Sequence, residues 1–165
     1  MSSKSRRITL TVNGEAVARD VPVRLNLVDF LRHDLGFTGS HVGCEQGACG
    51  ACTVVLDDQT VRGCLVLAVQ ADGCVVQTIE GAGNGDNGLM AELQAMFHLL
   101  NALQCGFCTP GMLLSAHELL QANPLPSREE IRDYLSGNFC RCTGYQAIVD
   151  AVAAVSRARR EAPAA

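Results

Sequence analysis

The first part of the chain alternates apolar and polar residues, with the two-residue period of a β-strand. Ile8, Leu10 and Val12 alternate with polar positions, Asn13-Gly14 follows, and a second alternating run extends from Ala16 to Val21. An Asn-Gly pair between two such runs is the strongest local signal for a hairpin with a type I′ turn. We therefore predict that the chain begins with a β-hairpin.

The next segment changes from alternation to helical spacing and then to short apolar runs. Leu27, Phe30, Leu31 and Leu35 recur at helical intervals, and Gly36 stands where a glycine ends a helix. After it the sequence predicts a loop at 38–52, strands at 53–56 and 60–62, a short helix at 64–69 and a last strand at 74–78. This order of elements predicts a mixed sheet with a helix across it, as in a β-grasp ferredoxin.

A glycine-rich segment divides the chain. Residues 81–88 read Gly-Ala-Gly-Asn-Gly-Asp-Asn-Gly, a composition typical of a linker. Beyond it the apolar residues follow helical spacing, with Thr109-Pro110 as an N-cap and first-turn proline and Ser127 to Glu130 as a capping box. We predict the α+β class, with a ferredoxin-like domain at 1–80, the linker at 81–88 and a four-helix bundle at 89–165.

Composition narrows the class of protein. Hydrophobic residues make up 48% of the chain, the formal charge is −4, and no long basic run indicates nucleic acid. No apolar run is long enough to span a membrane. Arg6-Arg7 leads into a strand pattern rather than an apolar export segment. The nine cysteines are therefore expected in a reducing compartment, the cytoplasm, as metal ligands rather than disulfides.

Four of these cysteines have the spacing of a plant-type [2Fe-2S] site. Cys44, Cys49 and Cys52 form C-x4-C-x2-C, and Cys64 follows as the fourth ligand. The intervening glycines let a loop wrap closely around a cluster and direct backbone N–H groups at sulfur. A structural zinc site or buried inert thiols are the alternatives.

A second set of cysteines lies in the helical part. Cys105 and Cys108 form a C-x2-C pair, and Cys140 and Cys142 form a C-x-C pair. Together they make a four-thiolate site that suits a soft metal or an iron–sulfur cluster. Zinc binds similar pairs, so the spacing alone leaves zinc open.

Three sequence blocks resemble the signatures of the molybdenum hydroxylase (xanthine oxidase) family. They are Gly43-Cys-Glu-Gln-Gly-Ala-Cys-Gly-Ala-Cys-Thr53, Gln104-Cys-Gly-Phe-Cys-Thr-Pro-Gly111 and Gly137-Asn-Phe-Cys-Arg-Cys-Thr-Gly-Tyr145. The chain is similar to the small iron–sulfur subunits of that family, as in carbon monoxide dehydrogenase and quinoline oxidoreductase. The resemblance covers the chain from the first strand to about Ala154 and implies a [2Fe-2S] cluster in both sites.

The resemblance also implies partners and a direction of electron flow. Gln104 and Cys142 would approach the molybdopterin, in its cytosine dinucleotide form, of a large subunit. The ferredoxin-like domain would face a medium subunit that carries FAD, in a dimer of heterotrimers. Electrons from substrate oxidation at molybdenum would pass singly through the two clusters to FAD. The substrate would be an aromatic N-heterocycle, a purine, an aldehyde or carbon monoxide.

On this reading the chain is the electron-transfer subunit of an oxidoreductase and carries no catalytic residue of its own. Two other hypotheses remain: a free-standing two-cluster ferredoxin, and a zinc-stabilised interaction module with one cluster. Three residues are set aside. His41 is assigned a loop or supporting role, His117 a surface or packing role, and Cys74 the role of a small buried hydrophobe in a strand.

Overall fold

The computed structural model describes residues 4–161; residues 1–3 and 162–165, at the ends of the two predicted domains, lie outside the described residues. The chain begins with the predicted hairpin, formed by β1 (Ser5–Val12) and β2 (Glu15–Pro22). Asn13 and Gly14 have φ values of 52° and 88°. Positive φ at both turn residues is the type I′ geometry, so this prediction is confirmed.

Within residues 4–161, five strands form one mixed sheet. The strands after the hairpin are β3 (Thr53–Leu56), β4 (Gln59–Arg62) and β5 (Val75–Gln77). Their order in the sheet is β2-β1-β5-β3-β4, with β5 parallel to β1 and antiparallel to β3. A short helix, α1 (Leu27–Asp29), continues as a π-helical turn over Phe30–Asp34 and buries Leu27, Phe30 and Leu31 against the sheet.

The short helix expected at residues 64–69 is wrong. Leu67 is extended and bridges to Asn26, and the helical turn is a 3₁₀ turn that begins later, at Ala68–Ala71. The backbone of this segment is paired with residues 25–27, where α1 begins: Val66 accepts a bond from Leu27 at 2.7 Å, and Ala68 donates to Leu25 at 2.8 Å. These long-range bonds replace the local bonds that a helix would need.

In the described part of the second half, up to residue 161, four α-helices pack around a core of their own. They are α2 (Leu89–Leu99), α3 (Thr109–Ala122), α4 (Arg128–Tyr134), which ends in a 3₁₀ turn over Leu135–Gly137, and α5 (Gln146–Glu161). The capping box is confirmed, because Ser127 Oγ accepts the Glu130 N–H and the Glu130 carboxylate accepts the Ser127 N–H. Thr109 is not the N-cap of α3: it lies inside the first turn, after Cys108.

One side chain of residues 81–88, that of Asp86, is hydrogen-bonded to the start of the helical half. The Asp86 carboxylate accepts the N–H groups of Gly88 at 2.9 Å and Met90 at 2.6 Å and lies 3.1 Å from His117. It therefore stabilises the start of α2, where a negative charge suits the helix dipole. In residues 4–161 no helix is both long enough and apolar enough to cross a membrane.

Candidate metal centres

The loop between the π-helical turn and β3 carries the first three thiols. Gly47 and Gly50 have φ values of 76° and 73°, a conformation that glycine adopts without steric cost. The backbone N–H groups of Gln46 and Cys49 both approach Cys44 Sγ at 3.4 Å. These bonds, that of Gln46 first, lower the pKa of Cys44 to about 7. The loop thus favours a thiolate, the form that binds metal.

Cys52 and Cys64 make the second pair of this set. Cys52 is buried at the end of the loop, and its carbonyl accepts the N–H of Gly63 at 3.1 Å, which brings the residue before Cys64 beside it. Burial, together with the neighbouring Cys64 thiol, raises the pKa of Cys52 to about 11. A metal bound here would supply the charge that holds this thiol deprotonated.

The second set also consists of two thiol pairs. Cys105 and Cys142 are both exposed, and their sulfurs lie 3.6 Å apart. Cys108 lies deeper, and burial, followed by its contact with Cys140, raises its pKa to about 12. Burial also acts on Cys140, but hydrogen bonds from Thr143, whose hydroxyl donates at 3.1 Å, leave its pKa lowered.

The thiols of the second set lie in pairs, Cys105 with Cys142 and Cys108 with Cys140. In the described part of the chain no group of three or more cysteine, histidine, aspartate or glutamate side chains is arranged to hold one metal ion. Two cysteines for each iron is the ligand pattern of a [2Fe-2S] cluster.

The two sets lie close together because their backbones meet. The Phe139 N–H, one residue before Cys140, donates to the carbonyl of Cys49 at 2.8 Å. A Cβ atom at Gly111, three residues after Cys108, would lie 2.2 Å from the Gly50 carbonyl oxygen. The loop of the first set therefore touches both segments that carry the second set.

A buried amide holds this junction. Asn138 is 2% exposed; its Nδ2 donates to the Gly50 carbonyl at 3.3 Å, and its Oδ1 accepts from the Ser115 hydroxyl at 3.0 Å. Arg62 Nη2 donates to Asn138 Oδ1 at 3.3 Å and to the Gly137 carbonyl at 2.8 Å. Sequence reasoning missed Asn138, Ser115 and Arg62. Only Asn138 lies in a motif, and nothing in the motif distinguishes a junction residue.

The remaining candidates have defined positions. Gln104 is exposed beside Cys105, on the open side of the second set. His41 lies in the loop, as predicted. Its Nδ1 is 2.8 Å from the Phe107 carbonyl oxygen, and its ring stacks on the Phe107 ring with centroids 4.6 Å apart. His117 packs as predicted and pairs with Asp86. Cys74 is not buried: it is half-exposed and precedes β5, so that prediction is wrong.

Comparison with known proteins identifies the two halves. Residues 10–92 match the family described as 2Fe-2S iron-sulfur cluster binding domain, and residues 78–153 match the family described as [2Fe-2S] binding domain. The two matches overlap only in residues 78–92. The described sheet from residue 10 onward and most of the helical half are therefore similar to iron–sulfur proteins.

Individual relatives extend this similarity over nearly the whole chain. The chain is 50% identical over 155 residues to caffeine dehydrogenase subunit gamma of Pseudomonas sp. (strain CBB1), covering 92% of each chain. It is 51% identical over 145 residues to the nicotine 6-hydroxylase small subunit of Paenarthrobacter nicotinovorans, covering 88% of this chain and 86% of the relative. The crystal structure of quinoline 2-oxidoreductase from Pseudomonas putida 86 superimposes with a TM-score of 0.86 at 48% identity, covering 96% of this chain and 99% of that one. The chain belongs to the small iron–sulfur subunits of the molybdenum hydroxylase family.

Proposed function

We propose that this chain binds two [2Fe-2S] clusters and relays electrons between a molybdopterin subunit and an FAD subunit. In this proposal residues 1–80 form a β-grasp ferredoxin domain, which holds one cluster through Cys44, Cys49, Cys52 and Cys64. Residues 89–165 form a four-helix domain, which holds the other through Cys105, Cys108, Cys140 and Cys142. Residues 81–88 connect the two.

One observation carries the proposal: a single chain places two sets of paired thiols on loops that touch each other. The Cys49 carbonyl and the Phe139 N–H, which belong to the two different loops, are hydrogen-bonded at 2.8 Å. A [2Fe-2S] cluster, once bound, accepts and donates one electron at a time. The chain's own residues then determine the distance between the clusters, their exposure and the hydrogen bonds to their sulfurs.

The exposure of the thiols supports a direction for the relay. Cys105 and Cys142 are exposed, and Gln104 is exposed next to them, whereas Cys52 and Cys108 are shielded. We propose that Gln104 and Cys142 approach the pterin of a large subunit and that the first set delivers electrons towards FAD on a medium subunit. The cytosine dinucleotide form of the pterin, the dimer of heterotrimers and the cytoplasmic location are parts of the same proposal.

For the substrate of the complex we propose an aromatic N-heterocycle. Relatives that match this chain over nearly its whole length are named for caffeine, nicotine and quinoline, which are all N-heterocyclic compounds. The proposed chemistry on this chain is electron transfer alone. The substrate is accordingly selected by the partner subunit, and this chain carries away the electrons released by its oxidation.

The test is a cofactor count on the protein purified gently from its native host. We expect about four irons per chain, no zinc, and molybdenum and flavin each near one per chain in the same fraction. About two irons with one zinc would contradict the second cluster and make the helical half a structural zinc domain. Four irons without molybdenum, flavin or other subunits would instead identify a free-standing ferredoxin.

A further inference from the structure

We propose that the Thr143 hydroxyl raises the reduction potential of the second centre by donating a hydrogen bond to the sulfur of Cys140. This inference rests on the proposed function, because it requires a cluster held by Cys105, Cys108, Cys140 and Cys142. Thr143 is not a ligand in that proposal, and the spacing of the cysteines gives it no role. It acts on the cluster through Cys140.

The contact joins a hydroxyl directly to a proposed ligand sulfur. Thr143 Oγ1 lies 3.1 Å from Cys140 Sγ. The two backbone N–H groups that approach Cys44 Sγ in the first set are farther from their sulfur, both at 3.4 Å. Within residues 4–161, Cys140 is the one cysteine of the two sets whose sulfur accepts a hydrogen bond from a side-chain hydroxyl. The two sets therefore differ in the donors that their sulfurs receive.

A second hydrogen bond fixes the direction of this hydroxyl. The Tyr145 N–H donates to Thr143 Oγ1 at 3.2 Å. A backbone N–H can only donate, so it occupies a lone pair of the oxygen and leaves the hydroxyl hydrogen for another acceptor. A metal-bound Cys140 is a thiolate and has no proton to donate in return. The hydroxyl hydrogen is accordingly directed at the sulfur, and a hydroxyl that accepts one bond donates a stronger one.

The turn that carries Thr143 is held in an unusual conformation. Gly144 and Tyr145 have φ values of 64° and 68°, and the left-handed region is uncommon for an aromatic residue. The Tyr145 carbonyl accepts the Val149 N–H at 3.0 Å in the first turn of α5, and the Tyr145 hydroxyl accepts the Cys140 N–H at 2.9 Å. Such a conformation persists where the surrounding structure imposes it. Here α5 and Cys140 do so, and Tyr145 is thereby the positioning residue for the Thr143 hydroxyl.

A hydrogen bond of this kind distinguishes the two oxidation states of a cluster. Reduction adds negative charge, which the iron ions share with their sulfur ligands, so a donor to one sulfur stabilises the reduced form more than the oxidised form. Hydrogen bonds to sulfur are among the features that set the potentials of iron–sulfur clusters. Thr143 and Cys140 are both partly buried, which limits the competition of water for the bond. The bond therefore raises the potential of the second centre.

The step that this bond affects is a one-electron reduction. One of the ferric ions of the cluster becomes ferrous, and in the proposed complex the electron comes from the molybdenum centre of the large subunit. No bond breaks, and the hydroxyl hydrogen stays on Thr143. A higher potential makes the second centre a better acceptor for that electron. Because no proton is taken up, the contribution of Thr143 does not depend on pH.

Two substitutions at one position separate the hydroxyl from the shape of the side chain. Thr143→Val keeps the branched shape and removes the hydroxyl, whereas Thr143→Ser keeps the hydroxyl and removes a methyl group. The full chain with both clusters loaded is titrated while EPR follows each centre. The signal that disappears in Cys105→Ser identifies the second centre, and the first centre serves as an internal reference in every sample.

We expect Thr143→Val to lower the potential of the second centre and to leave that of the first unchanged. A loss of about tenfold in the reduction equilibrium constant corresponds to about 59 mV for a one-electron couple. Thr143→Ser should restore the wild-type potential, and the difference should be the same in mildly acidic and mildly alkaline buffer. Equal potentials in Thr143→Val and the wild type would overturn the proposal, as would equal losses in the two variants.

Tyr145→Phe distinguishes a bond to sulfur from a general loosening of the turn. It removes the hydroxyl that accepts the Cys140 N–H and keeps the Tyr145 N–H that orients Thr143. It should therefore not lower the potential of the second centre. A fall equal to that in Thr143→Val would show that any disturbance of the turn has this effect, and the role of the hydroxyl would be rejected.

Deuterium exchange observes the bond itself. After transfer to D₂O, the hydroxyl deuteron should give a coupling in the ENDOR spectrum of the reduced second centre. This coupling should be present in the wild type and in Thr143→Ser and absent in Thr143→Val. If Thr143→Val does not take up a second cluster, Thr143→Ala replaces it in both measurements. The same deuteron couplings with and without the hydroxyl would contradict a bond to the cluster ligand.

The iron content of the wild-type chain separates failure of this inference from failure of the proposed function. About two irons per chain would overturn both, since no second centre would exist. About four irons per chain, with one and the same potential of the second centre in every Thr143 variant, would overturn the role of Thr143 alone.

Discussion

At the scale of single residues, hydrogen bonds give the thiols of one loop different acidities. Cys44 accepts two backbone N–H groups at 3.4 Å and has a pKa of about 7, whereas burial raises that of Cys52 to about 11. Both residues are expected to ligate the same cluster. The loop thus contains one thiol that is ready to bind iron at neutral pH and one that loses its proton only with the metal.

This difference predicts the reactivity of the iron-free chain. A thiolate alkylates and a thiol does not, so iodoacetamide should modify Cys44 with a rate that rises with pH and is half-maximal near pH 7. As pH falls through that value, Cys44 becomes protonated and its rate should fall. Peptide mass spectrometry measures each cysteine separately. A midpoint for Cys44 near that of an ordinary thiol, about 8.5, would contradict the role of the backbone bonds.

The ninth cysteine offers a control for ligand assignment. Cys105→Ser removes a proposed ligand of the second set, and the variant should lose about half of its iron and one EPR signal. Cys74→Ser changes a half-exposed cysteine that lies outside both sets, and it should keep its iron. Equal iron losses in the two variants would contradict the assignment of the second set.

At the scale of elements, the start of α3 is fitted to the loop of the first set. Gly111 is a buried residue in the first turns of this helix, at a position where alanine would ordinarily be preferred. Its lack of a side chain is explained by the Gly50 carbonyl, which faces it from the other half of the chain. The glycine at this helical position is therefore explained by a contact with a residue outside the helix.

Gly111→Ala should consequently have the opposite effect to the one expected in an isolated helix. In an isolated helix, replacing glycine by alanine would stabilise the helix by about 1 kcal/mol. Here the new Cβ would lie 2.2 Å from a backbone oxygen, and overpacking of this kind destabilises by roughly 1–3 kcal/mol. Thermal unfolding of the cluster-loaded chain measures the difference. A higher melting temperature in the variant would mean that the loops are not in contact.

At the scale of the whole molecule, a second contact joins the sheet to the helices. The Glu118 carboxylate on α3 accepts the N–H of Thr60 at 2.6 Å and the Thr60 hydroxyl at 2.5 Å, and it also accepts the Tyr134 hydroxyl. Burial, followed by this carboxylate, raises the pKa of Tyr134. One acidic side chain thus holds β4 and α4 together across α3.

Glu118→Ala should loosen the two halves from each other. Thr60 would lose its partners, at a cost of about 1–3 kcal/mol for partly buried polar groups. We expect a lower melting temperature and faster proteolytic cleavage within residues 81–88, which connect the halves. Glu129→Ala, at an exposed glutamate on α4, is the control and should change neither quantity. Equal behaviour of the two variants would show that the contact adds nothing to the assembly of the halves.

The sequence by itself determined the features that depend on neighbouring residues. The Asn13-Gly14 turn, the Ser127–Glu130 capping box and the apolar stripe of α5 are local, because turn conformation and helix capping involve residues a few positions apart. The spacing of the eight proposed ligand cysteines is likewise readable along the chain, since a cluster loop is short.

Only the tertiary structure decided what depends on residues distant in the chain. The predicted helix at 64–69 was wrong because residues 66–68 pair with residues 25–27, where α1 begins. The junction of the two thiol sets joins residues that are 88 positions apart, Gly50 and Asn138. Neither the local composition nor the hydrophobic periodicity of the sequence indicates that these two residues are in contact. Their contact exists because the sheet and the helices pack together, so the folded chain and not its local pattern places the two thiol sets beside each other.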